Sequence, residues 1–64
     1  MIVLNGQAHD FDAGITVRDM LAQLGLPDRG VAVAVDGAVL PKGRWHEGLP
    51  DGAQVDVVTA VQGG

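Results

Sequence analysis

The sequence predicts an α+β domain, a mixed sheet of four to five strands packed on one main helix. Three observations carry that expectation. Asn5-Gly6 separates two short stretches that read as strands; one helix-period stripe follows at Val17, Met20, Leu21 and Leu24; and two valine-rich runs, residues 31–35 and 55–61, come after it. Strand patterns on both sides of a single helical one place all the apolar faces on one shared core.

Met1-Ile2-Val3-Leu4 and Ala8-His9-Asp10-Phe11 flank the Asn-Gly pair, which supplies the two positive φ values of a type I′ hairpin turn. A two-residue loop pairs Leu4 with Gln7 and Ile2 with His9, so Ile2, Leu4, His9 and Phe11 fall on one face. Asp12-Ala13-Gly14 reads as a turn, and Thr16 as a hydroxyl N-cap with Asp19 in the first helical turn. The helix is expected over about residues 17–24, with Gly25 in the left-handed position, Leu26 folding back on Leu21 and Pro27 blocking continuation. Val31-Ala32-Val33-Ala34-Val35 alternates branched with small side chains, which places valines toward the core and leaves a flat outer face. Asp36-Gly37 ends that strand, Val39-Leu40 forms a short one stopped by Pro41, and residues 42–48 read as loop or a short helical turn. Asp51-Gly52 precedes the last strand. This order is that of the β-grasp fold, and a right-handed crossover through the helix lays the last strand parallel to the first. Residues 61–64 then project from the sheet edge.

Size and composition narrow the function classes. A 64-residue chain is one domain, which buries about 60% of the surface its unfolded chain exposes and leaves little room for a deep cleft. At 47% hydrophobic the chain is too apolar for disorder, and no apolar run reaches the length of a membrane span. The absence of cysteine excludes disulfides, thiolate metal sites, iron–sulfur ligation and cysteine nucleophiles. Met1-Ile2-Val3-Leu4 has no basic n-region and no long apolar stretch of a secretory signal, so a cytoplasmic location is expected. Four basic residues against eight acidic ones give a net charge of −4, which argues against nucleic-acid binding.

The chemistry concentrates at the carboxyl end. Val61-Gln62-Gly63-Gly64 directly follows the β-branched run, and glycines without Cβ make a thin tail able to thread a narrow channel. Glycine-rich ends are also commonly frayed. Here the pair comes without Ser, Pro or charge, straight after a core strand, so residues 62–64 read as a flexible reactive tail on a single domain of residues 1–64. If Val55 and Val57 face the core, then Asp56, Val58 and Ala60 face outward, as do Ala32 and Ala34 on their own strand. Should the two strands be neighbours, Val58, Ala60, Ala32 and Ala34 form a shallow apolar patch leading to Val61. Trp45 reads as a lid on a small core rather than a docking anchor. Lys42, Arg44 and His46 read as a solvated loop, His9 and His46 lack metal-site spacing, and Asp10 and Asp12 read as turn residues. No convergent nucleophile, base and pocket can be assembled, so the chain is not expected to be an enzyme.

Nearly the whole chain resembles the bacterial thiamine-biosynthesis sulfur carrier family, ubiquitin-like β-grasp proteins of about this size. The resemblance rests on the opening hairpin, Gly14-Ile15-Thr16-Val17, residues 31–35 with Asp36-Gly37, Val39-Leu40-Pro41 followed by Arg44-Trp45, and Asp51-Gly52 before residues 55–64. It implies that an E1-like adenylyltransferase joins the Gly64 carboxylate to AMP from ATP. A sulfur donor such as a cysteine desulfurase system then converts Gly64 to a thiocarboxylate, which delivers sulfur to thiazole synthase. The carrier is implied to be a monomer when free, with no bound cofactor and no membrane or nucleic-acid partner. Other readings of the same tail are the small subunit of molybdopterin synthase and a modifier joined to lysines. From another class, a plain β-grasp interaction module makes no use of the glycines.

Overall fold

The computed structural model describes residues 1–59. Its elements run β1 (Ile2–Leu4), β2 (Gln7–His9), α1 (Val17–Gln23), β3 (Val31–Val35), β4 (Ala38–Val39), a 3-10 turn at Lys42–Arg44, and β5 (Gln54–Thr59). The strands form one five-stranded sheet in the order β2-β1-β5-β3-β4. Only β1 and β5 are parallel; the other three pairs are antiparallel. No helix among the described residues is long and apolar enough to cross a membrane.

The hairpin register is the expected one, with Ile2 opposite His9 and Leu4 opposite Gln7. Asn5 and Gly6 sit at φ 48° and 83°, the two left-handed positions that a type I′ turn requires. The second strand is shorter than the alternation implied: it ends at His9, and Phe11 lies beyond it, packed on the core edge with its ring stacked on His9 at 5.6 Å. Ile2 and Leu4 are buried, whereas His9 is only half-buried, on the edge strand β2.

Thr16 caps α1 by accepting from the Asp19 N–H at 3.1 Å. The helix closes in a Schellman arrangement: Gly25, at φ 71°, donates to Ala22 O at 3.1 Å, and Leu26 donates to Leu21 O at 2.9 Å. That closure corrects one expectation. Leu24 does not extend the buried stripe; it is the C-cap and stands 37% exposed, while Leu26 turns back onto the core in its place. Val17, Met20 and Leu21 join Ile2, Leu4, Val33 and Val55 in one buried cluster.

Residues 40–49 are stitched to the start of the helix. The Trp45 side chain is 3% exposed and donates Nε1–H to Leu40 O at 3.0 Å, while its carbonyl accepts from the Arg18 N–H at 3.1 Å. Tryptophan is therefore a core residue, buried more completely than a lid. Leu49 donates to Ile15 O at 2.8 Å, and Thr16 bridges to Gly48. The two backbones come so close that a Cβ on Gly48 would lie 3.0 Å from Gly14 O. Outside this seam, Arg44 donates to both carboxylate oxygens of Glu47 and holds that carboxyl below its ordinary range, a staple at the surface.

Two substitutions test the seam. Trp45→Phe keeps an apolar ring but leaves Leu40 O without its donor, and is expected to lower the unfolding free energy by about 1–3 kcal/mol. Gly48→Ala forces the two backbones apart and is expected to cost about 1–3 kcal/mol. Urea unfolding reads both; a wild-type midpoint at either position would show that the contact there contributes nothing.

Candidate functional site

The strand that leads toward the diglycine, β5, is the middle strand of the sheet. The expectation that residues 61–64 project from the sheet edge falls outside the described residues. Val31 to Val35 of β3 pair antiparallel with Thr59 to Val55, so one side of β5 is held to its last described residue. On the other side β1 reaches only as far as Leu4, opposite Val55. There the turn residue Asn5 takes over: its N–H donates to Val55 O at 2.9 Å, its Oδ1 accepts from Val57 N at 2.8 Å, and its Nδ2 donates to Val57 O at 3.3 Å. A primary amide offers one donor and one acceptor side by side, as a peptide group does, so the side chain prolongs the ladder by one residue.

A matching device holds the opposite end of β5. Asp36, at φ 50° in the Asp36-Gly37 turn, donates its N–H to Gln54 O at 2.7 Å and accepts from Gln54 N on Oδ1 at 2.9 Å. Asn and Asp are the residues that tolerate this backbone region and still carry an acceptor short enough to reach the neighbouring strand.

The faces fall as alternation requires. Val55 is 1% exposed and Val57 half-buried on the inner side, whereas Asp56 is exposed and Val58 is 63% exposed on the outer side. Ala32 lies directly opposite Val58, and Ala34 opposite Asp56. The structure thus brings Ala32, Ala34 and Val58 together. Gly30, Val31, Ala32 and Val58 line a shallow, mostly apolar depression of about 320 Å³. Val39, opposite Ala34 and 77% exposed, extends the same face and was missed in the sequence. The signal was present: a two-residue loop at Asp36-Gly37 fixes Val39 opposite Ala34. The other predicted site residues, Ala60, Val61, Gln62, Gly63 and Gly64, lie outside the described residues.

The second cleft, about 350 Å³, is lined by Met1, Ile2, Phe11 and Asp51 among others, around the residues that open β1 and precede β5. The amino group of Met1 pairs with Asp51 there and holds its carboxyl below the ordinary range. Among the described residues no three His, Asp or Glu side chains are placed to share a metal ion. Asp12 serves a turn, its carbonyl accepting from Ile15 N at 3.1 Å.

A mixed five-stranded sheet with one helix over its inner face, and the carboxyl-terminal strand in the middle beside a parallel first strand, defines a ubiquitin-like β-grasp domain. A crystal structure of a thiamine biosynthesis protein (ThiS) from Geobacter metallireducens has this fold, with a TM-score of 0.75 at 24% identity over 98% of this chain and 97% of that one. The family model for the ThiS family matches residues 2–64. The sulfur carrier protein ThiS of Escherichia coli (strain K12) is 33% identical over 64 residues, covering 98% of this chain and 97% of that protein. A thiazole synthase of Paramagnetospirillum magneticum (strain ATCC 700264 / AMB-1) is also 33% identical over 64 residues, but this chain spans only 20% of its length. The chain belongs to the ThiS family, and its function is that of a sulfur carrier in thiamine biosynthesis, not a catalyst.

Asn5→Gly separates the two duties of that residue. Glycine keeps the positive φ and removes the amide, so the hairpin is expected to persist while the Val57 N–H loses about 1 kcal/mol of protection, roughly a fivefold faster local exchange. Amide hydrogen exchange by NMR checks this; unchanged protection at Val57 would show that the side chain holds nothing.

Proposed function

We propose that the working group is the carboxylate of Gly64, presented on a tail of Gln62, Gly63 and Gly64, and that the domain behind it is a handle. The observation that carries this reading is that the ThiS-family match extends through residue 64 and so includes Val61-Gln62-Gly63-Gly64. A carboxylate is a poor electrophile. An E1-like adenylyltransferase transfers AMP from ATP to Gly64 with loss of pyrophosphate, which makes the oxygen part of a good leaving group. A persulfide-type sulfur from a cysteine desulfurase system displaces AMP, and thiol cleavage of the resulting S–S bond leaves a thiocarboxylate. That soft nucleophile passes its sulfur to thiazole synthase. ATP is consumed by the partner; the carrier supplies no base, metal or other nucleophile to these steps. The reactions take place in the cytoplasm, and the free carrier is a monomer.

Docking uses the outer sheet face, with Val58, Ala32 and Ala34 continuing toward Ala60 and Val61. Small side chains there let a partner backbone approach closely. Thiazole synthase as the acceptor is supported by the relative of that name in which a segment matching this chain occupies 20% of the length.

Intact-protein mass spectrometry after incubation with a cognate adenylating enzyme, ATP and a sulfur donor tests the reading. The expected result is the mass gain of one oxygen-for-sulfur exchange, lost when Gly64 is deleted; an unmodified mass in a validated activating system would overturn it. Gly64→Ala is expected to hinder adenylation through its added Cβ, with Gln62→Ala mild. Val58→Asp is expected to weaken partner binding while leaving the melting temperature near wild type, since its side chain is 63% exposed; unchanged transfer kinetics would remove the outer face from the mechanism.

A further inference from the structure

Asp56 is the anomaly of the outer face. It stands on β5 two residues before Val58 and directly opposite Ala34, which is in turn opposite Val39. Its carboxylate makes no ion pair among the described residues. None of those neighbouring side chains can donate a hydrogen bond. The nearest turn residue, Asn5, turns its amide to Val57, with Oδ1 accepting and Nδ2 donating there. A surface that seats on Val58, Ala32 and Ala34 therefore covers a carboxylate that has no ion-pair or hydrogen-bond partner among the described residues, at a cost of several kcal/mol unless the partner supplies a cation.

We propose that Asp56 is the specificity-determining residue of this face and that it pairs with an arginine or lysine on thiazole synthase. This rests on the sulfur-carrier reading given above. The apolar depression at Gly30, Val31, Ala32 and Val58 takes an aliphatic or aromatic side chain of the same surface. The two features are complementary in kind. Apolar contact gives area but little discrimination, whereas a desolvated carboxylate rejects any surface that brings an apolar or acidic group to it. A guanidinium fork suits it best, because its paired N–H groups satisfy both carboxylate oxygens in one plane. The synthase is favoured as occupant because a thiazole synthase relative carries a segment matching 98% of this chain within its own polypeptide, which keeps such a carrier surface beside a synthase. The carrier's net charge of −4 adds a general attraction to any basic rim, but only Asp56 lies inside the patch.

The test compares wild type, Asp56→Asn and Asp56→Lys, all as full chains, by titration calorimetry against purified thiazole synthase and, separately, against the adenylating enzyme, at low and high salt. Asn preserves shape and removes charge. The expected result is about tenfold weaker binding of Asp56→Asn to the synthase at low salt, a flatter salt dependence, and a larger loss for Asp56→Lys. Melting temperatures stay at the wild-type value, since the side chain is exposed and no described residue leans on it. Equal affinity and salt dependence of Asp56→Asn and wild type would overturn the proposal, and so would a loss confined to the adenylating enzyme. The underlying function is read apart from this: wild type that gains sulfur at Gly64 while Asp56→Asn binds normally refutes only the role of Asp56, whereas wild type that never gains sulfur refutes the carrier reading itself.

Discussion

Two residues in positive-φ turns hold the central strand from opposite ends. Asn5 at φ 48° binds Val57 through both atoms of its amide, and Asp36 at φ 50° binds Gln54 through its N–H and its carboxylate. Each turn would form with many sequences; what Asn and Asp add is a side chain that reaches across to β5. The consequence is positional. Asn5 and Val57 are 52 residues apart in sequence, so this contact closes nearly the whole chain on itself and fixes the register of the last strand against the first. A domain of this size cannot draw such precision from a large core. It draws it from hydrogen bonds placed at the ends of the ladder.

That arrangement divides labour along a single strand. Inward residues of β5, Val55 and Val57, share the core with Val33, Leu21 and Met20, and changes there act on folding. Outward residues, Asp56 and Val58, are exposed and lie outside the core cluster, so changes there are expected to leave folding intact. The two-residue period of a strand is what makes the separation clean. A helix would have spread the same residues around a cylinder and mixed the two roles.

Much of this was legible in the residues. Asn5-Gly6 fixed the first hairpin and its register, Thr16 and Gly25 fixed both ends of the helix, and the alternation in residues 31–35 and 55–59 fixed which valines are buried. The misreadings have physical causes. Leu24 satisfies the helical period but lies where the Schellman turn leads the chain away, so Leu26 fills the space instead. Phe11 continues the alternation but falls past the point where β1 offers partners. The clamps by Asn5 and Asp36 could not be seen, since both residues are fully explained as turn formers and their second duty depends on which strand passes beside them. Trp45 was read as a cover for the core; the closeness of Gly48 to Gly14 draws residues 40–49 tightly enough to make it part of the core.

The placement of β5 also bears on how a protein without catalytic groups takes part in covalent chemistry. On the proposed mechanism the tail enters more than one active site and so cannot be shaped to any of them. Specificity then has to reside on a rigid surface of the domain. The outer face of β3 and β5 meets that condition, because Val31 pairs with Thr59 and so holds β5 in register to its last described residue. Asp56 and Val58 thereby share one continuous strand with Thr59, the last described residue. A partner that recognises Val58 and Asp56, as proposed, therefore grips the strand itself and not a loop appended to it.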